Sequence, residues 1–218
     1  IVGPAYQILL PLLVEKWRQH LQHKGCLLAE TFDAAALQLQ KGGVQYKGVE
    51  ASHLLFANGA AAASSGYFQL LPFALNKGEA LILRIPHLPQ QVIFKKGFSI
   101  SPWRDGLFWA GSTYQREFDD AQPTAAFRQQ MESWLQQFLR HPYTVEDHVA
   151  AIRPTTVERR PFAGWHPQYA QLGMLNGMGT KGVTLAPYFA RQLVDNITIQ
   201  TAIMPEADVA RFARVLSR

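Results

Sequence analysis

Apolar residues recur at helical spacing in four stretches of the chain. The clearest repeat is Leu185, Phe189, Leu193 and Ile197, which share one helix face because they lie four residues apart. Residues that favour helix ends mark the limits of other helical stretches. Thr124, for example, can cap the start of one of them. The pattern predicts helices over residues 11–24, 124–140 and 205–216, and in the stretch that ends at Ile197.

Shorter apolar or alternating runs, separated by Gly, Pro and Asn, predict strands. The predicted strands are residues 26–31, 36–40, 44–47, 53–57, 80–85, 91–94, 98–101, 107–110, 145–153 and 172–176. Strands and helices alternate towards the two ends of the chain, whereas the middle is mainly strands. We therefore expect a mixed α/β (α+β) fold, in which an α/β layer is interrupted by a mainly antiparallel β-sheet domain with flanking helices.

Composition narrows the class of protein. The chain has 218 residues, of which 48% are apolar and 17% are charged, as in an ordinary globular protein. No run reaches the roughly 18 apolar residues of a membrane helix. The single cysteine, Cys26, favours a reducing compartment, so we expect a cytoplasmic protein.

The net charge of +5 is dispersed along the chain, which favours an anionic small molecule over nucleic acid as the binding partner. No metal is expected, because His20, His23 and Cys26 lack a fourth ligand.

A glycine-rich turn lies between the strand 172–176 and the following helix. Gly177, Gly179 and Gly182 fall within six residues. Such a turn exposes unpaired N–H groups beside the positive end of a helix dipole, which suits a phosphate or another electron-rich group. A tight strand–helix turn without a ligand is the alternative. The G-x-G-x-x-G spacing is not a Rossmann first turn, because only 36 residues follow Gly182 and no second strand ends in an acid there.

Arg153 is the side chain that we single out for substrate binding. Its planar guanidinium can hold a carboxylate through two parallel hydrogen bonds. The alternative is a structural ion pair with Glu146, Asp147 or Glu158.

Several separated motifs follow one another along the chain: L-L-F-A-N-G (54–59), L-P (71–72) with N-K-G-E (76–79), S-P (101–102) with A-G-S-T (110–113), I-R-P-T-T (152–156) with R-P-F-A-G (160–164), and G-M-G-T-K-G-V-T (177–184). Together and in this order, they resemble the flavin-dependent amine and amino-acid oxidoreductases, the family of D-amino-acid oxidase, glycine oxidase and sarcosine oxidase. The family's dinucleotide fingerprint is absent, so we expect the chain to be a fragment whose missing portion precedes Ile1.

The resemblance implies FAD as cofactor and an amine or amino acid as substrate, oxidised at its C–N bond to an imine by hydride transfer to flavin N5. It implies that Arg153 binds the substrate carboxylate. The residues that it implies in cofactor binding are Ala57, Asn58, Gly59, Gly177, Met178, Gly179, Thr180, Lys181, Gly182, Val183 and Thr184. A non-catalytic binding or structural module of the same fold is the alternative, and a homo-oligomer is left open.

The resemblance also implies a division into domains. Residues 1–66 would form part of the FAD-binding domain, and residues 67–150 a substrate-binding antiparallel sheet domain. Residues 151–200 would return to the FAD-binding domain, and residues 201–218 would form a C-terminal helix.

Overall fold

The computed structural model describes Gly3, residues 6–64 and residues 66–217. The α-helices are α1 (Leu10–His23), α2 (Ala125–Phe138), α3 (Gly182–Ile199) and α4 (Ala213–Leu216). The strands are β1 (Leu37–Gln40), β2 (Gly43–Tyr46), β3 (Val49–Ala51), β4 (Leu54–Phe56), β5 (Asn76–Arg84), β6 (Phe94–Lys96), β7 (Phe98–Pro102), β8 (Leu107–Gly111), β9 (Thr144–Arg153), β10 (Phe162–Trp165) and β11 (Leu172–Asn176). The mixed α/β class with mainly antiparallel sheets is confirmed.

The chain divides into two compact units. The first contains the described residues up to Phe32, together with Glu79–Thr113 and Gln122–Ala150. The second contains Asp33–Gly78, Tyr114–Ala121 and the chain from Ala151 onward. The limit between Ala150 and Ala151 coincides with a predicted domain limit, whereas no limit of the two units falls at the predicted 66 or 200. The predicted domains are drawn by function and stay a prediction.

A five-stranded sheet, in the order β6-β7-β8-β5-β9, forms the framework of the first unit. Helix α2 packs on this sheet through Phe127, Met131 and Leu135, each at most 2% exposed, as their helical spacing predicts. Burying side chains of this size stabilises a fold by about 1.5–3 kcal/mol each. The threonine cap is also confirmed, because the hydroxyl of Thr124 accepts a hydrogen bond from the amide of Phe127 at 3.2 Å.

The second unit contains two three-stranded sheets. Strands β1, β2 and β3 form an antiparallel meander, whose first two strands correspond to the predicted strands 36–40 and 44–47. In the other sheet, β11 lies between β10 and β4, antiparallel to β10 and parallel to β4. Helix α3 buries Phe189 and Leu193 in a cluster that includes Ala163 of β10. This sheet and α3 carry the glycine-rich turn.

Several predicted elements are wrong. Residues 26–31 pair with no strand, and residues 91–93 precede β6 rather than belong to it. Residues 205–216 form only a 3-10 turn (Val209–Phe212) and α4, because Ala163 pairs with Asp208 in a parallel β-bridge and holds that segment extended. Strand β10 is missing from the prediction, since Pro161 and Gly164 are typical of a loop.

Helix α1 is present as predicted, but it contributes nothing to a core. None of its residues is buried, and Trp17 is 59% exposed. None of the helices in the described part of the chain combines the length and apolar content that a membrane crossing requires.

Candidate active site

Two adjacent parallel strands of the second unit carry both predicted cofactor loops. Strands β4 and β11 pair in register, with Leu54 opposite Leu172 and Phe56 opposite Met174. Parallel strands present their carboxyl ends at the same edge of a sheet, where α/β proteins bind ligands. The loop with Ala57, Asn58 and Gly59 and the loop that begins at Gly177 therefore leave the sheet side by side.

Asn176, the last residue of β11, connects these two loops. Its side chain is buried, and its Nδ2 donates to the carbonyl of Gly59 at 2.9 Å. Its Oδ1 accepts from the amide of Gly177 at 2.8 Å. Asn176 is absent from the predicted site, because nothing local in the sequence marks a residue that bridges segments more than one hundred positions apart.

The glycines of the second loop serve close packing. Gly177 has a φ of +74°, and an added Cβ would lie 2.6 Å from Cγ2 of Thr156. At Gly179, φ +53°, an added Cβ would lie 2.5 Å from Cγ2 of Thr155. Alanine at either position would collide with a threonine, so the loop lies directly on Thr155–Thr156.

Three amides of this loop, those of Gly177, Gly179 and Lys181, already have partners within the protein. The amide of Gly177 is taken by Asn176, and that of Gly179 donates to the carbonyl of Pro154 at 3.1 Å. The amide of Lys181 donates to the carbonyl of Met178 within a 3-10 turn. These hydrogen bonds hold the loop in place.

The glycine loop lines a cavity of about 370 Å³ in the second unit. Residues 177–181 form one part of the lining, and Tyr114, Thr155, Thr156 and Arg159 form the rest. The predicted residues that do not line the cavity are Ala57, Asn58, Gly59, Arg153, Gly182, Val183 and Thr184. Gly59 has a φ of +60°, and among the described residues no atom beyond its neighbours in the chain lies within 4 Å of the place that its Cβ would take, so its backbone is open to a ligand.

Arg153 ends β9, and Asn76 and Gly78 of β5 hold its guanidinium in place. Its Nη1 donates to Oδ1 of the fully buried Asn76 at 2.8 Å, and Nδ2 of Asn76 donates to Oγ1 of Thr155 at 2.8 Å. The guanidinium lies against Gly78, where an added Cβ would be 1.9 Å from Nη2. Burial lowers the pKa of Arg153, while Tyr114 acts in the opposite direction. The side chain nevertheless remains charged.

The carboxylates considered as ion-pair partners of Arg153 have other contacts. Glu146 binds Nε of Arg84 at 2.8 Å, and Glu158 lies 3.3 Å from Nη2 of Arg211. Asp147 accepts from the adjacent amide of His148 at 2.7 Å. Each of these three carboxylates is therefore engaged by another group.

Arg159 is a cavity residue that the sequence-based prediction lacks. From the sequence, Tyr114 is one of several aromatic residues that could line a substrate pocket, with a place in a core as the favoured alternative, and Thr155 and Thr156 occur in the I-R-P-T-T motif without a role. Tyr114 follows the A-G-S-T motif directly. Arg159 lies between two quoted motifs and has no signal of its own.

A family model described as FAD dependent oxidoreductase (DAO) matches residues 7–196, well over half of the chain. The chain belongs to this family. The resemblance drawn from the motifs is therefore confirmed, and FAD is the cofactor of the family to which the chain belongs.

Two curated relatives of this chain are glycine oxidases. That of Pseudomonas aeruginosa is 28% identical over 149 residues, which are 66% of this chain and 41% of that protein. That of Pseudomonas putida is 29% identical over 149 residues, 66% of this chain and 40% of that protein. The chain thus spans about two fifths of the length of these relatives.

Solved structures show the same fold. Iminodiacetate oxidase from Chelativorans sp. BNC1 superposes with a TM-score of 0.73 at 21% identity, over 94% of this chain and 57% of that one. Glycine oxidase from Geobacillus kaustophilus superposes with a TM-score of 0.62 at 23% identity, over 84% of this chain and 51% of that one.

The residues present fit the flavin end of the cofactor. The two loops at the end of the β4–β11 pair offer open backbone at Gly59 and the first turn of α3. The cavity adds hydroxyl groups and two cations, Arg159 and Lys181. This set of donors suits the electron-rich carbonyl and nitrogen edge of a flavin ring.

Proposed function

We propose that this chain forms the flavin-facing and carboxylate-binding part of an enzyme that oxidises the C–N bond of an amine or amino acid to an imine. One observation carries the proposal: the segment that begins at Arg153 is joined to the glycine loop. The amide of Gly179 donates to the carbonyl of Pro154, and both segments line one cavity. The carboxylate-binding side chain and the cofactor loop are thereby held on one framework.

Arg153 acts by binding and orienting the substrate. FAD, when bound, supplies the hydride acceptor of the reaction. Transfer from a Cα–H requires alignment more than a strong base, so fixing the carboxylate fixes the reacting carbon. Asn76 and Gly78 hold the guanidinium ready for this role, since one accepts its hydrogen bond and the other leaves room for it.

The loops at 57–59 and 177–184 hold the cofactor in this proposal. The first turn of α3 places the positive end of a helix dipole beside them. A fixed dipole of this kind stabilises negative charge that develops nearby during the reaction. Asn176 keeps the two loops at a constant distance through its two hydrogen bonds.

The relatives support an amino-acid substrate. The matched proteins are named for glycine and iminodiacetate, and each of these compounds carries a carboxylate beside an amine. A carboxylate requires a cationic partner, which is the role given to Arg153.

The test uses the complete protein, purified with its cofactor. Its visible spectrum is recorded anaerobically before and after addition of a panel of amines and amino acids. We expect flavin bands that one amino acid bleaches, and in Arg153→Gln we expect the same bands but bleaching slowed by at least about a hundredfold. Unslowed bleaching in Arg153→Gln would contradict the role of Arg153. A colourless complete protein would contradict the proposed function and favour a non-catalytic module.

A further inference from the structure

Thr155 lies between the residues that hold Arg153 and the glycine-rich cofactor loop. It is 7% exposed, and its amide donates to the carbonyl of Arg153 at 2.9 Å. Its side chain has two different ends, a hydroxyl group and a methyl group. The hydroxyl accepts a hydrogen bond from Nδ2 of Asn76 at 2.8 Å. The methyl carbon, Cγ2, lies against Gly179, where an added Cβ would be 2.5 Å away. One side chain therefore contacts both parts of the proposed site.

The hydrogen bonds from Arg153 to Thr155 can run in only one direction. A guanidinium only donates, so Asn76 must present Oδ1 to Nη1 of Arg153, at 2.8 Å. This orientation places Nδ2 of Asn76, which also only donates, at the Thr155 hydroxyl. The hydroxyl must therefore accept from Asn76, and it donates its own proton to the carbonyl of Ala74. Every donor and acceptor along this series of bonds is matched.

The Thr155 hydroxyl keeps the Asn76 side chain in one orientation. Asn76 is fully buried, so without that hydroxyl its Nδ2 would be a buried donor that has lost its partner. The terminal bond of an asparagine side chain rotates easily, and rotation takes Oδ1 away from Nη1 of Arg153. The orientation of Arg153 thus depends on the Thr155 hydroxyl through Asn76.

Thr156 has the same contact through its methyl group but a different contact through its hydroxyl. Its Cγ2 would lie 2.6 Å from an added Cβ of Gly177. Its hydroxyl donates to the carbonyl of Arg160 at 2.8 Å and accepts from the amide of Arg160 at 3.1 Å. Both threonines thus support the glycine loop, but the hydroxyl of Thr156 is bound to backbone, whereas that of Thr155 is bound to the residue that holds Arg153.

We infer that Thr155 is a positioning residue with two separable roles. Its hydroxyl orients Arg153, through Asn76, for the carboxylate of the substrate, and its methyl group supports the cofactor loop at Gly179. The inference rests on the proposed function, which assigns the carboxylate to Arg153 and the loop to the cofactor. It adds that carboxylate binding and cofactor binding can each be weakened separately by a change at this one residue.

Carboxylate binding to the complete, FAD-loaded protein tests the role of the hydroxyl. The probe is butyrate, and its dissociation constant is measured by calorimetry and by perturbation of the flavin spectrum. Thr155→Val keeps the methyl group and the branched shape but removes the hydroxyl. We expect this variant to bind butyrate about three- to tenfold more weakly, as loss of one hydrogen bond predicts. Thr155→Ser keeps the hydroxyl, so its butyrate affinity should stay within about twofold of the wild type.

Retention of FAD by the complete protein tests the role of the methyl group. Thr155→Ser removes the methyl group that lies against Gly179, so the dissociation constant for FAD, measured from flavin fluorescence, should rise about threefold. Thr155→Val keeps this group and should bind FAD within about twofold of the wild type. The two variants should therefore show opposite losses, which a general destabilisation of the segment would not produce.

Thr156→Val is the matched control for butyrate binding, because the hydroxyl that it removes has backbone partners at Arg160. Its dissociation constant for butyrate should stay within about twofold of the wild type, whatever its affinity for FAD. Equal weakening in Thr155→Val and Thr156→Val would overturn the inference, since a general disturbance of the segment would explain it. Equal weakening in Thr155→Val and Thr155→Ser would also overturn it, because the hydroxyl would then have no role of its own.

A double variant tests the route through Asn76. In the Asn76→Ala background, Thr155→Val should cause no further loss of butyrate affinity, and a full additional loss would exclude Asn76 as the intermediary. If Arg153→Gln weakens butyrate binding but Thr155→Val does not, this inference alone fails. If butyrate leaves the flavin spectrum of the wild type unchanged, or binds Arg153→Gln as tightly as the wild type, the proposed function fails as well.

Discussion

The position of the Arg153 side chain depends on Gly78, because a glycine leaves the space beside it free for the guanidinium. The guanidinium occupies the space beside Gly78, where a Cβ would lie 1.9 Å from Nη2. Gly78→Ala should therefore displace the guanidinium and raise the dissociation constant for a carboxylate ligand about ten- to hundredfold, as loss of a charged hydrogen bond predicts. Ligand titration of the cofactor-loaded protein measures the change.

The Arg153→Ala background provides the control for this prediction. With the guanidinium removed, the added methyl group has nothing to displace, so Gly78→Ala should cause no further loss of affinity. Additive losses in the double variant would show that Gly78 acts by a route other than Arg153.

Some residues of the site could be identified from the sequence around them, and others could not. Arg153 could be chosen because it lies in the I-R-P-T-T motif. Asn76 and Gly78 lie in the N-K-G-E motif, but their role beside Arg153 could not be predicted, because they lie about 75 positions earlier and meet it only in the folded sheet. Asn176 is hidden for the same reason, since its partner Gly59 is remote in the sequence.

Helix α2 is anchored by a buried carboxylate on β5. Glu79 is fully buried, and its Oε2 accepts from the amide of Thr124 at 2.6 Å while its Oε1 accepts from the threonine hydroxyl at 2.9 Å. Nε2 of His148 lies 3.1 Å from the same carboxylate. Glu79→Ala should lower the free energy of unfolding by about 3 kcal/mol, because buried donors lose their partner. Denaturant titration of the protein gives this quantity.

Glu132 offers a matched comparison on the same helix. It binds Arg128 at 3.0 Å in an exposed i,i+4 pair. Glu132→Ala should cost at most about 0.5 kcal/mol, the usual value of such pairs. Similar costs for the two glutamates would contradict the anchoring role of Glu79.

Elements were predictable where local pattern and tertiary context agree. Helix α2 shows both, since its cap and its apolar stripe are in the sequence and its stripe is buried. The segment 205–216 is helical in pattern but is held by the bridge between Ala163 and Asp208. That bridge joins residues 45 positions apart, so no local pattern reports it.

The free energy of unfolding of the whole molecule should decrease at acidic pH because of a buried histidine. His166 is 3% exposed, and its Nδ1 accepts from the amide of Gln168. Burial lowers the pKa of His166 below its ordinary value of 6.5, although a hydrogen bond to the backbone of Tyr67 opposes the shift. Below about pH 6.5, His166 therefore binds a proton in the unfolded chain but stays neutral in the folded chain until the pH reaches its lower folded pKa. Stability should fall as the pH drops from about 6.5 towards the lower folded pKa.

Denaturant titrations of the wild type and His166→Gln at several pH values between about 5 and 7 test this expectation. The variant should lose part of the pH dependence, whatever its absolute stability. His141→Gln, at an exposed position, should keep the full dependence. An unchanged slope in His166→Gln would exclude His166 as the source.

The fold class was predictable, whereas the grouping of segments was not. Alternating and helical patterns indicate which layers are present. They do not indicate that Tyr114–Ala121 belongs with Asp33–Gly78 in one compact unit. That grouping depends on pairing between distant segments, such as Lys77 with Gln115, which is set by tertiary structure.

The parallel pair of β4 and β11 also sets an order of events during synthesis. Leu54–Phe56 leaves the ribosome more than one hundred residues before Leu172–Asn176, its only strand neighbour in that sheet among the described residues. At about 5 to 20 residues per second, the wait lasts on the order of 6 to 24 s. Throughout that interval the nascent chain carries an apolar strand with an unsatisfied edge, which is the kind of segment that chaperones bind.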